Sequence, residues 1–205
     1  MKNIIKIVLL LCIASMAFAV YGQNSCTTDE GVVINGIRWA TRNVDKPGTF
    51  TEKPEDAGMF YQWNRKVGWN STDPLVNSDG GTTWNTNEAA GESWRKENDP
   101  CPCGWRVPTK GEQQSLVDAG GYWGELNDIS GYFFGNGKNS LFLPASGSRG
   151  YSNGALDVVG TVGYYWSSNA YYASHAYSLN VYRIVVTVNS NRGKSFGVSI
   201  RCIAE

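Results

Sequence analysis

Hydrophobic and polar positions along the chain alternate in short runs, and long helical periodicities are scarce. From Ser178 to Arg183 the period is two, with Leu179 and Val181 on one side and Ser178, Asn180 and Tyr182 on the other. If the apolar pair faces the core, the polar trio faces solvent or a ligand. The run Ile184-Val185-Val186-Thr187-Val188 is more apolar, as a two-sided strand would be, and strands are predicted over 176–188 and 196–203. Val32 to Asn43 reads as a hairpin turning at Asn35-Gly36. Met59 to Lys66 is a short aromatic element ending near Gly68. Residues 131–150 read as another hairpin, with Leu141-Phe142-Leu143 a buried strand stopped by Pro144. One helix stands out: Thr109 and Glu112 form a capping box, and Leu116 and Val117 give an apolar side up to Gly120. Residues 45–58 are turn and loop chemistry. Residues 70–99 are polar and rich in Gly, Asn and Thr, and Trp84 and Trp94 within them favour an ordered long loop. The pattern predicts a loop-rich α+β domain with small antiparallel sheets and one or two helices.

The tail from Gly163 to Glu205 carries the functional signal. In residues 169–195, 13 of 27 positions are Asn, Tyr, Ser or His, and none is acidic. Tyr offers rigid amphipathic area and Asn adaptable hydrogen bonds, the composition of a contact surface. The candidate ligand-binding residues are Asn169, Tyr171, Tyr172, His175, Tyr177, Asn180, Tyr182, Arg183, Asn189 and Asn191. Arg183, Arg192 and Lys194 would complement an acidic or sialylated partner. The bland reading is a Tyr/Asn-rich surface meander without a partner. Trp63, Trp105 and Trp166 read as core anchors.

Residues 1–22 read as an export signal: Lys2 and Lys6 precede an apolar stretch from Ile7 to Ile13, too short to span a bilayer. Cleavage is expected after Ala17-Phe18-Ala19 or Val20-Tyr21-Gly22. Cys12 and Cys26 both fit a lipobox poorly. No later run of about 18 apolar residues exists, so residues 23–205 are expected to form a single domain with no membrane span, exported to the periplasm, cell surface or medium. Losing Lys2 and Lys6 leaves 16 basic against 18 acidic residues, no footprint for nucleic acid. Export leaves Cys26, Cys101, Cys103 and Cys202, which allow three disulfide connectivities. Cys101 and Cys103, separated by one proline, are poorly placed to bond each other. The expected pairs are Cys101–Cys202 and Cys26–Cys103.

Catalytic signals are weak. His175 is the only imidazole and sits in the tail, and no paired carboxylates are spaced for acid–base work. Asp73, Asp79 and Asp99 read as turn residues. A lone CxC without CxxC or further histidines does not make a zinc site. No catalytic residue, metal ligand or cofactor is assigned.

The segments DPCPCGWRVPT (99–109), LFLPASGSRG (141–150), GYYWSS (163–168) and GVSIRC (197–202), with GIRWATRNVD (36–45) and MFYQWNRK (59–66), resemble the Fibrobacter succinogenes major paralogous domain, a family of secreted domains abundant in Bacteroidetes and Fibrobacter. The resemblance spans roughly residues 31–203. It implies a C-type-lectin-like fold in which the terminal strands pair, and it supports a Cys101–Cys202 bond to the last strand. Cys103 departs from the small residue usual at its position. Calcium-binding Glu-Pro-Asn, Gln-Pro-Asp and Trp-Asn-Asp motifs of C-type lectins are absent, and fold kinship to formylglycine-generating enzymes does not transfer their chemistry. The tail is also similar to the variable region of diversity-generating retroelement target proteins, where adenine-directed mutagenesis diversifies such positions. Together these imply a secreted or cell-surface adhesion domain whose Tyr/Asn-rich face binds a protein or glycan. The face is hypervariable if a retroelement diversifies the tail, and fixed if the chain is an ordinary paralogous domain with the same skeleton. The competing classes are a polysaccharide-active enzyme and a structural envelope module.

Overall fold

The computed structural model describes residues 29–205. The export signal expected over residues 1–22, and Cys26, lie outside the described residues.

Asn35 and Gly36 both take left-handed backbone angles, φ 48° and 79°, as a two-residue hairpin turn requires. Strands β1 (Val32–Ile34) and β2 (Ile37–Trp39) pair across them. Strands β3 (Phe60–Gln62) and β4 (Gly68–Trp69) follow as a second hairpin. The polar loop after β4 has only isolated bridges, at Asn77 and Ser93, before a 3-10 turn at Lys96–Asn98. It is pinned by its tryptophans: Trp84 Nε1 donates to Tyr151 O at 3.1 Å and Trp94 Nε1 to Asn98 O at 2.9 Å. Strand β5 (Trp105–Arg106) leads into helix α1 (Lys110–Asp118). The capping box is complete: Thr109 Oγ1 accepts the Glu112 N–H at 3.2 Å, and the Glu112 carboxylate accepts the Thr109 N–H at 2.7 Å.

The hairpin expected over 131–150 proves to be a three-stranded meander, β6 (Gly121–Leu126), β7 (Ile129–Asn136) and β8 (Asn139–Pro144), and β8 ends at Pro144. Strand β6 lacks apolar alternation because it is built on close approach. A Cβ at Gly121 would lie 2.0 Å from Phe133 O. Two short strands follow, β9 (Ser148–Arg149) and β10 (Leu156–Asp157). The tail forms β11 (Gly163–Ala170), β12 (His175–Val181), β13 (Val186–Gly193), β14 (Gly197–Val198) and β15 (Ile203–Ala204). The strand expected over 176–188 is therefore interrupted. Tyr182 N–H closes a turn on Val185 O at 2.9 Å, and Ile184 at its tip is 94% exposed. The strand expected over 196–203 is divided between two sheets.

The four sheets run β1-β2-β15-β5, β10-β9-β14-β3-β4, β11-β12-β13 and β6-β7-β8, a loop-rich α+β arrangement with one α-helix among the described residues. The last strand lies between β2 and β5, so both ends of the described chain share a sheet. Cys101 and Cys202 are bonded. Cys103 is also disulfide-bonded, and the partner expected for it, Cys26, lies outside the described residues. Buried Arg201 donates through Nε to Asn43 Oδ1 at 3.0 Å and through Nη1 to Thr41 O at 2.9 Å, fastening the segment after β2 to the end of the tail. Burial lowers its pKa to about 10 and pushes the neighbouring Tyr165 up to about 12.

Two apolar clusters form the core. Trp63, Tyr164, Trp166 and Ala176 belong to one; Leu116, Tyr165, Leu179, Val181 and Val188 belong to the other. Tyr164 and Trp166 fall in the first cluster and Tyr165 in the second, so β11 is buried on both faces there; β12 is buried from Ser178 to Val181, and β13 forms the more open edge of the sheet. Helix α1 packs against it, and the large Trp rings are locked by N–H bonds from Trp166 to Tyr61 O at 2.6 Å and from Trp63 to Ser167 O at 2.9 Å.

Candidate functional site

The middle position of β12 decides which tail residues reach the surface. Leu179 and Val181 turn to one cluster, while Ala176, Ser178 and Asn180 share the opposite face. That face is not open. Ser178 is fully buried and Asn180 is 5% exposed, and Ser178 Oγ donates to Asn180 Oδ1 at 2.7 Å. From the flanking strands, Tyr164 pairs with Asn180 and Arg192 with Ala176. The Arg192 guanidinium lies 3.7 Å from the Tyr164 ring centre, so the two side chains meet across the small polar residues of β12. The expectation that Ser178 and Asn180 face solvent or a ligand is thus corrected. Alternation separates the two sides of a strand, but an edge-strand arginine covers the polar one. Half-buried Tyr182 meets Tyr164 edge-on at 6.3 Å between ring centres.

At the other end of β12 the tail opens outward. Tyr171 and Tyr172, in the β11–β12 turn, are 38% and 63% exposed. Their ring centres lie 4.0 Å apart, and Tyr177 meets Tyr171 edge-on at 5.1 Å. Each ring thereby limits the freedom of the next, the preorganisation a contact surface needs. His175 O accepts both the Tyr171 and Tyr172 N–H groups, at 2.8 and 3.1 Å. The Lys110 ammonium, at the start of α1, sits 4.1 Å from the Tyr177 ring centre. Asn191 pairs with Tyr177 and is exposed; Asn189 is exposed at the β13 irregularity. A groove of 620 Å³ opens beside the turn, lined by Gly91, Glu92 and residues 170–173.

The opposite wall was not evident from sequence. Residues 88–92 are held against the tail from below: Lys194 Nζ donates to Ala89 O at 3.2 Å and Gly91 O at 2.9 Å, and Ser195 Oγ to Glu88 Oε1 at 3.0 Å. Ala170 N–H donates to Glu92 O at 2.9 Å. Lys194 is buried, 4.4 Å from the Trp63 ring centre, and burial lowers its pKa. It anchors the wall and does not offer charge to a partner. Only a lysine flanked by Gly and Ser hints at this, since carbonyl ligands from a distant loop leave no local signature.

The ten candidates therefore separate. Tyr171, Tyr172, His175, Tyr177 and Asn191 gather at one end of β12. Tyr182 and exposed Arg183 lie at the other end, roughly 20 Å away at strand rise. Asn169 serves the frame: its Oδ1 accepts the Lys110 N–H at 2.8 Å, satisfying one of the open donors of α1. Asn180 is buried. His175 contacts Ser174 Oγ through Nδ1 at 2.9 Å, and among the described residues no carboxylate hydrogen-bonds its ring, so the orienting third member of a nucleophilic triad is missing. Among the described residues no three His, Cys, Asp or Glu side chains are grouped to hold a metal ion, and no helix is long and apolar enough to cross a membrane. No family model, curated protein or solved structure matches this chain.

Proposed function

We propose that the protein is an exported adhesion or recognition module of the major paralogous kind, on a C-type-lectin-like frame, that captures a protein or glycan ligand with the tyrosine cluster at the β11–β12 turn. The observation that carries this reading is the set of three tyrosines beside a groove, Tyr172 and Tyr177 each packed on Tyr171 and two of the three exposed, at the end of a sheet whose β11 strand is rooted in the core. Aromatic side chains that are already ordered when free bind with a small entropic loss. The pairing of β15 with both β2 and β5, and the Cys101–Cys202 bond, support the choice of frame. Diversification by a retroelement is the proposed source of the tail's composition, and only its changes at the exposed positions would alter the face without disturbing the frame. The test is binding to a printed glycan array and to an array of extracellular proteins. At least one ligand should be retained, and Tyr171→Ala with Tyr172→Ala should weaken it about tenfold or more with little change in melting temperature. Undiminished binding by the double variant would refute the assignment of this face.

A further inference from the structure

A second groove, of 440 Å³, lies between the β3–β4 turn and the long loop, apart from the tyrosine cluster. Of the five amides in its walls, Gln62 and Asn98 use their NH2 groups, Gln62 on Ser195 O at 2.8 Å and Asn98 on Asn64 Oδ1 at 3.3 Å, and so present acceptors. The other three have their oxygens already engaged. Asn64 Oδ1 accepts the Arg95 N–H at 2.8 Å; Asn77 Oδ1 accepts the N–H groups of Asp79 and Gly81 at 2.9 and 2.8 Å; Asn85 Oδ1 accepts the Asn87 N–H at 2.9 Å. A backbone N–H only donates, so these contacts identify the oxygen of each amide. The NH2 groups of Asn77 and Asn85 are left with no acceptor among the described residues.

Trp69 adds another donor. Trp63, Trp84, Trp94 and Trp166 all donate their ring N–H to a backbone carbonyl. Trp69, 3% exposed, has no such bond among the described residues, and its nitrogen is not one of the sealed atoms lacking a partner. Trp69 lines this groove. The same rim bears Arg65 and Lys66, presented by a turn in which Asn64 holds φ 55°. Arg65 Nη2 donates to Asn87 O at 2.9 Å, and Lys66 is exposed with no ion pair among the described residues. No acid lines the groove.

Two cations, two amide NH2 groups without an acceptor and the Trp69 indole line the groove, with the Gln62 and Asn98 amide oxygens beside them and no carboxylate among the lining residues. Such a lining suits a ligand with one negative charge and several neutral oxygens. The volume accommodates one or two sugar rings. We propose that this groove binds an acidic sugar, its carboxylate on Arg65 and Lys66 and its ring oxygens on Asn77, Asn85 and the Trp69 N–H. The site is independent of the tyrosine cluster, so Tyr171→Ala with Tyr172→Ala leaves it intact.

The experiment is an NMR titration of the 15N-labelled exported chain, reading the Trp69 indole cross-peak, which is assigned by its loss in Trp69→Phe. The probes are galacturonate, 3′-sialyllactose, lactose and inorganic phosphate. A saturable shift of the indole peak with either acidic sugar is expected; the two arms distinguish a uronate from a sialate source. Lactose should bind about tenfold more weakly, and Lys66→Gln, an exposed change, should weaken the acidic sugar about tenfold with an unaltered melting temperature. The proposal is overturned if no acidic sugar shifts the peak at about 10 mM, if lactose or phosphate alone reproduces the shift, or if Lys66→Gln binds like the parent.

Discussion

Asn169 Oδ1 accepts the Lys110 N–H at 2.8 Å, whereas Tyr171, two residues later, leans only on its neighbouring tyrosines at the surface. Chemically, both belong to the amide–aromatic population of the tail. Energetically, they are unlike. Asn169→Ala leaves the first N–H of α1 without its side-chain acceptor, and should lower stability by about 1 kcal/mol. Tyr171→Ala removes an exposed ring and should change stability by less than about 0.5 kcal/mol. Urea denaturation of the two variants side by side measures the difference. A comparable loss for both would mean that the tyrosine is part of the frame. Lys194 belongs with Asn169: its ammonium supplies the donors for Ala89 O and Gly91 O, so the wall beside the tyrosines depends on a side chain that no partner could touch.

Helix α1 is where one carboxylate links local sequence to pH. Burial raises the Glu112 pKa, but hydrogen bonds from Arg106 and Thr109 outweigh it, and the carboxyl lies below the usual glutamate range. Such a group stabilises the fold fully above the unfolded value, about 4.3, and that contribution fades as pH falls through the depressed folded value. Glu112→Gln should flatten the dependence of stability on pH below about 4.3 and lower stability at pH 7 by about 0.5–1 kcal/mol, since the pair with Arg106 is partly screened by solvent. Urea midpoints between pH 3 and 7 provide the check. This helix was legible because Thr109, Glu112 and Gly120 mark its ends locally, as Asn35-Gly36 and Pro144 mark theirs. Strand β6 was not, because Gly121 records the closeness of Phe133 and not a hydrophobic period. The tyrosine cluster could be read from residue type, since Tyr tolerates exposure. The burial of Ser178 and Asn180 could not, because it is imposed by Arg192 from the next strand.

On the scale of the whole molecule, the Cys101–Cys202 bond joins residues 101 positions apart, and Cys202 is fully buried in the core. Closing so long a loop in the unfolded chain is worth up to about 4.7 kcal/mol. Cys101→Ser with Cys202→Ser should therefore lose about 2–5 kcal/mol, seen calorimetrically as a fall of roughly 5–15 °C in melting temperature. An unchanged transition would show that strand pairing by β15 alone holds the ends together. The layering of the tail has a further consequence for heredity. Any process that alters its codons, in a genome or in a randomised laboratory library, meets two kinds of triplet. Those at 171, 172, 189 and 191 encode exposed side chains and can drift with little penalty. Those at 169, 178, 180 and 194 encode the scaffold itself, so a repertoire grown on this chain stays viable only if its variation skips them.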